Sequence, residues 1–205
     1  MKWLEQKKSY GIYEKNHFID DSTQIRKFFY IGDYSVVNRG CWIENAVIGR
    51  FTRIEKSCQI GVPIIFEESF SNHFFAFSEG RSYFKNDDFY QNITTDRLYF
   101  NKLPTTYIGS DVRVSEQCIV HAGVTIGDGA IVYPRSVVKD DVKSYDIVAG
   151  NPAVKIGSRL GGNKELKIEN FDWTELDFRV IFSNSRNNYF NLDHIQNCSI
   201  NRKKI

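Results

Sequence analysis

The sequence is poor in the residues that mark several classes of protein. It has four cysteines, four histidines and one methionine in 205 residues, and the cysteines lack the spacing of a disulfide framework or a zinc site. No stretch approaches 18 apolar residues, and the start, MKWLEQKKSYG, lacks the apolar core of a signal peptide. The net charge of +2 gives no strong field for nucleic acid or an anionic membrane. We therefore expect a cytoplasmic protein with one main core, no nucleic-acid partner and no membrane span.

The sequence does contain a six-residue period in two separate stretches. Every step between consecutive positions is six residues except the five from Ile43 to Ile48. This period fits neither an α-helix nor an ordinary strand, and it is typical of a hexapeptide parallel β-helix with about 18 residues per triangular coil. The aliphatic positions, which we predict to point into the prism, are Ile19, Ile25, Ile31, Val37, Ile43, Ile48, Ile54 and Ile60, then Ile108, Val114, Val120, Ile126, Val132 and Val138.

Smaller side chains follow four residues after most of these positions, and we expect them to turn inward near the corners. A free cysteine at such a position is a small buried hydrophobe. Three of the cysteines are therefore interpreted as structural, and Cys198 stands alone in a polar tail. The positions are Thr23, Ser35, Cys41, Thr52, Cys58, Cys118, Ala130 and Ser136.

The period divides the chain into a coil and its additions. Residues 1–18 are weakly patterned and are expected to cap the first coil. Residues 62–107 interrupt the period. Loops this long inside a compact domain are usually functional or disordered, and the 12 of the 30 aromatic residues that lie here argue against disorder. We therefore expect an ordered loop. The predicted β-helix domain covers residues 1–160 and ends with a turn-rich exit after Val142. Residues 161–205 are predicted to form a short helical segment followed by a loosely ordered, asparagine-rich tail.

Several segments together resemble the hexapeptide-repeat acyltransferases of the xenobiotic (CatB/Vat-like) acetyltransferase group. They are Ile31-Gly32-Asp33-Tyr34-Ser35, Ser71-Asn72-His73, Gly123-Val124-Thr125-Ile126-Gly127-Asp128-Gly129-Ala130, Ser136-Val137-Val138 and Ile147-Val148-Ala149-Gly150-Asn151-Pro152-Ala153. The resemblance implies a left-handed β-helix, a homotrimer with active sites between neighbouring prisms, and acetyl-CoA as the acyl donor without a metal. The sequence departs from the group where Arg113 replaces a usual tryptophan and where Tyr133-Pro134-Arg135 replaces a Gly-Ala-Gly run.

Two histidines are candidates for the base that such a transfer needs. An imidazole is neutral near pH 7 and accepts a proton from an acceptor hydroxyl or amine. His73, in the interrupting loop, matches the group's loop histidine, although a histidine that only packs within the loop is the alternative. The runner-up, His121, takes an outward position of a hexad, where it serves as base, as acceptor contact or as an ordinary surface side chain. His17 and His194 are expected to be exposed.

The resemblance also suggests binding residues. For acetyl-CoA they are the backbone at Gly123, Ala149 and Gly150 and the basic side chains of Lys139, Lys155 and Arg159. For the acceptor they are Asn72, Arg113 and His121. An arginine at position 113 suits an anionic acceptor, such as a uronic or sialic acid, and a structural salt bridge is the other interpretation.

Of two other functions that a hexapeptide β-helix could have, the histidine content excludes one and leaves the other as an alternative to acetyl transfer. A γ-type carbonic anhydrase needs three histidines converging on one metal, and only His73 and His121 lie near coil positions. A non-catalytic β-helix scaffold for surface-polysaccharide assembly is the remaining alternative, and binding of CoA would discriminate between the two.

Overall fold

The six-residue period folds as a stack of short strands. The computed structural model describes residues 9–63, Asn86 and residues 103–159, and every regular element within these ranges is a β-strand. In chain order they are β1 (Ser9–Tyr13), β2 (Phe18–Ile19), β3 (Gln24–Ile31), β4 (Val36–Val37), β5 (Trp42–Ile48), β6 (Arg53–Ile54), β7 (Gln59–Val62), β8 (Thr106–Ile108), β9 (Arg113–Val114), β10 (Ile119–His121), β11 (Thr125–Ile126), β12 (Ile131–Val132), β13 (Val137–Val138), β14 (Asp146–Gly150) and β15 (Ala153–Ser158).

These strands form two sheets that make the three faces of a prism. One sheet has the order β1-β3-β5-β7-β10-β13, with β8 between β5 and β11. It bends at Lys27 in β3 and at Asn45 in β5, both with positive φ. The first face is therefore β7, β10 and β13 with the starts of β3 and β5, and the second is β1, β8 and β11 with their ends. The third face is the other sheet, β15-β14-β12-β9-β6-β4-β2. Pairing between successive coils is parallel.

The aliphatic period fills the interior of this prism, as predicted. Twelve of the fourteen expected inward residues are at most 2% exposed. Ile19 and Ile25, in the first coil, are only partly buried against this core. Eight of the inward positions, distributed over both stretches of the period, are 0% exposed: Ile31, Val37, Ile43, Ile54, Val114, Val120, Ile126 and Val132. At roughly 1.5–3 kcal/mol for each fully buried aliphatic side chain, this column is the main favourable term of the fold.

The smaller side chains tie the coils together from inside the corners. All of those predicted to turn inward are buried. Each buried thiol donates to a backbone carbonyl of the next coil. These bonds run from Cys41 to Glu55 (3.1 Å), from Cys58 to Ser115 (3.0 Å) and from Cys118 to Tyr133 (3.0 Å).

The thiol column confirms the structural role expected for these cysteines. Contacts with the Cys118 and Cys41 thiols, together with burial, raise the pKa of the Cys58 thiol. Because the thiolate is the nucleophilic form, a buried thiol with a raised pKa is a poor acyl acceptor.

The ends of the coil differ from the sequence-based expectation. Strands begin at Ser9, because β1 pairs with β3 along the second face and β2 pairs with β4; the segment before residue 19 is therefore part of the stack. At the other end the exit after Val142 continues as β14 and β15 on the third face. The interrupting loop is also shorter than 62–107, since Val62 and Thr106 belong to strands.

The remaining domain predictions fall mostly outside the described residues. The chain divides into compact units Met1–Ile156 and Gly157–Ile205; of the second, only residues 157–159 are described. The predicted helical segment and tail, with His194 and Cys198, lie outside them. Within the described part of the chain, no helix is long and apolar enough to cross a membrane.

Candidate active site

His121 lies on the first face beside both ends of the interrupting loop. It follows the inward residue Val120 on β10 and pairs with Val62, the last strand residue before the loop. Its carbonyl accepts a hydrogen bond from Oγ1 of Thr106, the first strand residue after the loop (3.3 Å). The side chain points outward and is half-buried. The hexad position predicted for His121 is thus confirmed, and the fold places it where the loop leaves and rejoins the coil.

The surroundings of His121 favour its neutral form. Burial is the larger cause that lowers its pKa, and the positive charge of Lys139 lowers the pKa further. Lys139 follows Val138, which pairs with Val120 on the adjacent coil. A neutral imidazole near pH 7 has a free ring nitrogen that accepts a proton or a hydrogen bond.

The leading base candidate, His73, lies outside the described residues, as does Asn72, so both remain predictions. His17 is described and is half-buried rather than exposed. Its ring stacks on Tyr13 with 5.1 Å between centroids, and its Nδ1 lies 2.6 Å from the carbonyl oxygen of Glu14. These contacts give His17 a structural place in the first coil.

Arg113 projects from the third face and takes part in a charged cluster. Its Nη2 lies 3.5 Å from Oε1 of Glu55, and Nε of Arg53 lies 2.7 Å from the same oxygen. Asn38 donates from Nδ2 to the other oxygen of Glu55 at 3.1 Å. Both readings of Arg113 thus have a physical basis here: it forms a salt bridge, and its side chain is still 57% exposed.

Arg53 and Glu55 are site residues that were not predicted, although the hexapeptide repeat contains the signal that finds them. Arg53 directly precedes the inward Ile54, and Arg113 directly precedes the inward Val114. Matching hexad positions on adjacent coils are neighbours, and the two arginines are in fact paired in register.

Two of the glycine positions suggested for acetyl-CoA are already used within the chain. Gly123 has a φ of +83°, and a Cβ there would lie 2.7 Å from Cγ of Pro104. The space on the Cβ side of Gly123 is therefore occupied by Pro104, and the role suggested for the Gly123 backbone stays a prediction. The amide of Gly150 donates to Oγ of Ser136 at 3.1 Å, while the neighbouring Ala149 is half-buried.

The three basic side chains suggested for the phosphates of CoA differ in their surroundings. Nζ of Lys155 lies 2.6 Å from Oδ1 of Asp146, a buried carboxylate. Because that ion pair neutralises a buried charge, Lys155 has a structural task within the coil. Lys139 and Arg159 are exposed. Lys139 is the one that the described coil brings next to a candidate base.

No group of three or more His, Cys, Asp or Glu side chains that could hold a metal ion occurs in the described ranges, 9–63, 86 and 103–159.

Comparison with known proteins identifies the class of coil. Residues 105–140 match the family described as bacterial transferase hexapeptide (six repeats). This segment contains β8 to β13, including His121, Arg113 and Lys139. The hexapeptide repeats predicted from the period are thus confirmed over this segment, and the parallel pairing of the strands makes the coil a parallel β-helix.

Relatives of known name match part of the chain. It is 39% identical over 74 residues to a chloramphenicol acetyltransferase from Klebsiella aerogenes, covering 36% of this chain and 35% of the relative. It is 37% identical over 79 residues to a probable macrolide acetyltransferase from Lysinibacillus sphaericus, covering 38% of this chain and 44% of the relative. The matched segment thus spans about a third to under half of each relative's length. The resemblance to the xenobiotic acetyltransferase group is confirmed over this segment.

Among solved structures, a hexapeptide-repeat-containing acetyltransferase from Vibrio cholerae matches with 21% identity and a TM-score of 0.48, covering 73% of each chain.

Proposed function

We propose that the protein transfers an acetyl group from acetyl-CoA to a hydroxyl or amine of a saccharide or other small molecule. The observation that carries this proposal is the coincidence of two features in one segment. The segment that matches the hexapeptide transferases, residues 105–140, also carries the half-buried His121 at the root of the interrupting loop. The names of the chloramphenicol and macrolide acetyltransferases support the acetyl group as the unit transferred.

The chemistry needs few groups, because the thioester of acetyl-CoA is already activated. A base removes the proton of the acceptor, hydrogen-bond donors stabilise the developing oxyanion, and the fold holds both substrates in line. In this proposal His73 is the base, and His121 positions the acceptor. No cysteine of the described coil is placed to carry the acetyl group, since Cys41, Cys58 and Cys118 are buried. Transfer therefore proceeds directly within a ternary complex.

Binding of acetyl-CoA is assigned to the first face and to the exit of the coil. Lys139 supplies positive charge for the phosphates, and the backbone at Ala149 supplies hydrogen-bonding groups for the pantetheine amides. Arg159, in the second compact unit, stays a separate candidate for a phosphate contact. Lys155 is left out because of its ion pair with Asp146. We further propose a homotrimer, as the family resemblance implies, located in the cytoplasm.

The decisive experiment measures binding and turnover separately. Calorimetry with CoA tests the donor site, and mass spectrometry of the products tests transfer to a panel of acceptors that includes chloramphenicol, neutral sugars and uronic acids. Binding of CoA with acetylation of at least one acceptor is expected. Failure of CoA to bind at millimolar concentration would overturn the proposal and favour the scaffold alternative. Light scattering at micromolar concentration tests the trimer, and a monomeric mass would contradict it.

A further inference from the structure

The third face carries two arginines that share a single carboxylate. Arg53 and Arg113 are paired in register on adjacent strands β6 and β9, so their backbones lie roughly 4.8 Å apart. Glu55 contacts both guanidinium groups, and its side chain is 16% exposed, whereas those of Arg53 and Arg113 are 58% and 57% exposed. The cluster therefore has an excess of positive charge that faces outward.

The geometry of the shared carboxylate is uneven. Glu55 lies 2.7 Å from Nε of Arg53 but 3.5 Å from Nη2 of Arg113. The first distance is that of a short charge-assisted hydrogen bond, and the second is at the limit of one. A guanidinium group has five N–H donors in a planar fork, and Glu55 contacts one nitrogen of each arginine. Arg113 is thus a well-exposed fork that is weakly held by its internal partner.

An exposed aromatic residue lies on the coil next to that of Arg113. Tyr133 follows Val132 on β12, the strand that pairs with β9, and it is 45% exposed. Ile131 pairs with Arg113, and Tyr133 lies two residues after Ile131 on the same strand. The Cα atoms of Tyr133 and Arg113 are therefore roughly 8 Å apart. That separation suits a six-membered ring lying between an arginine and a tyrosine. Tyrosine presents a large apolar face with a polar tip, a combination suited to the surface of a sugar.

We propose that Arg53, Arg113 and Tyr133 form a subsite for a carboxylated pyranose, such as a uronic acid. The carboxylate of the sugar takes the position beside Arg113 that Glu55 fills only loosely, and the sugar ring lies against Tyr133. The short contact between Arg53 and Glu55 fixes the orientation of the two arginines. This subsite deepens the proposed function, on which it rests for the statement that the sugar is the acetyl acceptor. The binding of the sugar itself does not depend on that function.

The test measures direct binding of glucuronate by NMR titration of the full chain without CoA. The neutral analogue glucose and glucose 1-phosphate are compared under the same conditions. Glucuronate is expected to bind several-fold, up to about tenfold, more tightly than glucose, since a charge-assisted pair with a half-exposed guanidinium is worth at most about one factor of ten. Equal affinity for glucuronate and glucose would overturn the proposal. Preference for glucose 1-phosphate over glucuronate would also overturn it, because the ligand would then be a phosphate.

Variants separate recognition from general charge. Arg113→Gln is expected to weaken glucuronate binding several-fold, up to about tenfold, and to leave glucose binding unchanged. The matched control is Arg26→Gln, which removes the same charge from the first face, where Arg26 stacks 4.1 Å from the ring centroid of Trp42; it should change neither affinity. Equal effects of the two variants would show a non-specific charge effect and contradict the subsite.

Glu55→Gln gives a readout that a purely structural salt bridge would not give. If Glu55 occupies part of the position of the carboxylate, its neutralisation should strengthen glucuronate binding several-fold. Unchanged or weaker binding would contradict that assignment. Because none of these measurements uses acetyl-CoA, failure of the subsite is distinguishable from failure of the acetyl-transfer proposal, which the CoA titration tests alone.

Discussion

His121 and Lys139 follow paired residues on adjacent coils of the first face, and the charge of Lys139 adds to burial in lowering the pKa of His121. The two side chains come together only because the coil returns to the same face after 18 residues. This relationship places a cation beside an imidazole and favours the neutral form of that imidazole.

The first prediction concerns the titration of His121. Its pKa should lie below the ordinary value of about 6.5, and Lys139→Met should raise it part of the way back, because the contribution of burial remains. NMR of the imidazole Cε1 proton measures both values. The control, Lys56→Met, removes a lysine whose Nζ lies 3.2 Å from Glu116 and should leave the titration unchanged. No difference between Lys139→Met and wild type would refute the coupling.

The same shift has a consequence for stability. Because the folded pKa of His121 is lowered, the unfolded chain binds more protons between the two values. The free energy of unfolding should therefore rise with pH through that window and level off above the unfolded pKa. Urea unfolding at several pH values measures the free energy of unfolding of the wild type and of His121→Gln. Its increase with pH through that window should be smaller in the variant. Identical pH dependence in both proteins would contradict the prediction.

The second prediction separates the two candidate bases. His73→Ala should retain CoA binding while the turnover number falls by about 10²–10⁴-fold, the usual contribution of a positioned acid–base group. His121→Ala should mainly raise the Michaelis constant of the acceptor. Steady-state kinetics of the two variants with the same acceptor check this. Near-normal turnover in His73→Ala, together with an inactive His121→Ala, would transfer the role of base to His121.

The third prediction compares two glycines that share a backbone conformation. Gly40 and Gly61 have φ of +70° and +78°, and a Cβ at Gly40 would lie 3.6 Å from Oγ of Ser57, in ordinary contact. A Cβ at Gly61 would collide with the carbonyl oxygen of Glu44. Gly40→Ala should therefore lower the free energy of unfolding by about 1–2 kcal/mol, the cost of the left-handed conformation alone. Gly61→Ala should cost clearly more or prevent folding. Equal unfolding free energies in the two variants would contradict the close packing of these coils.

The fourth prediction concerns the interior of the prism. Ile126→Ala should lower the free energy of unfolding by about 2–5 kcal/mol, because it leaves a cavity beneath a fully buried side chain. Ile156→Ala is the matched control, since Ile156 is 55% exposed, and it should change stability by no more than about 0.5 kcal/mol. Thermal and urea unfolding measure both. A large effect at Ile156 alone would indicate that the register of the coil is wrong.

Much of the coil was predictable, because a residue's hexad position fixes its direction. Val120 and Ile126 could be assigned to the interior from spacing alone. Even the five-residue step from Ile43 to Ile48 has a simple cause. The corner at Asn45, with a φ of 48°, is made with one residue fewer than the corner at Lys27.

Other features depended on contacts that no period contains. β1 escaped prediction because it has no aliphatic repeat; its coil is filled by the buried Phe29 of the paired strand β3. The contact between Pro104 and Gly123 is another example, since the sequence gives no reason to place that residue of the returning loop beside the glycine. Arg53 and Glu55 flank the inward Ile54, so finding them requires comparing the outward positions of adjacent coils as well as the inward ones.

The interruption after Val62 also indicates what sets the register of the coil. β5 pairs with β7 before the loop and with β8 after it, so the coil resumes its stacking as though the intervening residues were absent. Elsewhere the same corner is made between His121 and Thr125 by three residues. The register of the coil on both sides of residues 64–102 is therefore fixed by the pairing of β7 and β8 with β5. Each coil thus takes its register from the strand beside it and not from the residue that precedes it in the chain, which is how one repeat can be interrupted in sequence and still be continuous in space.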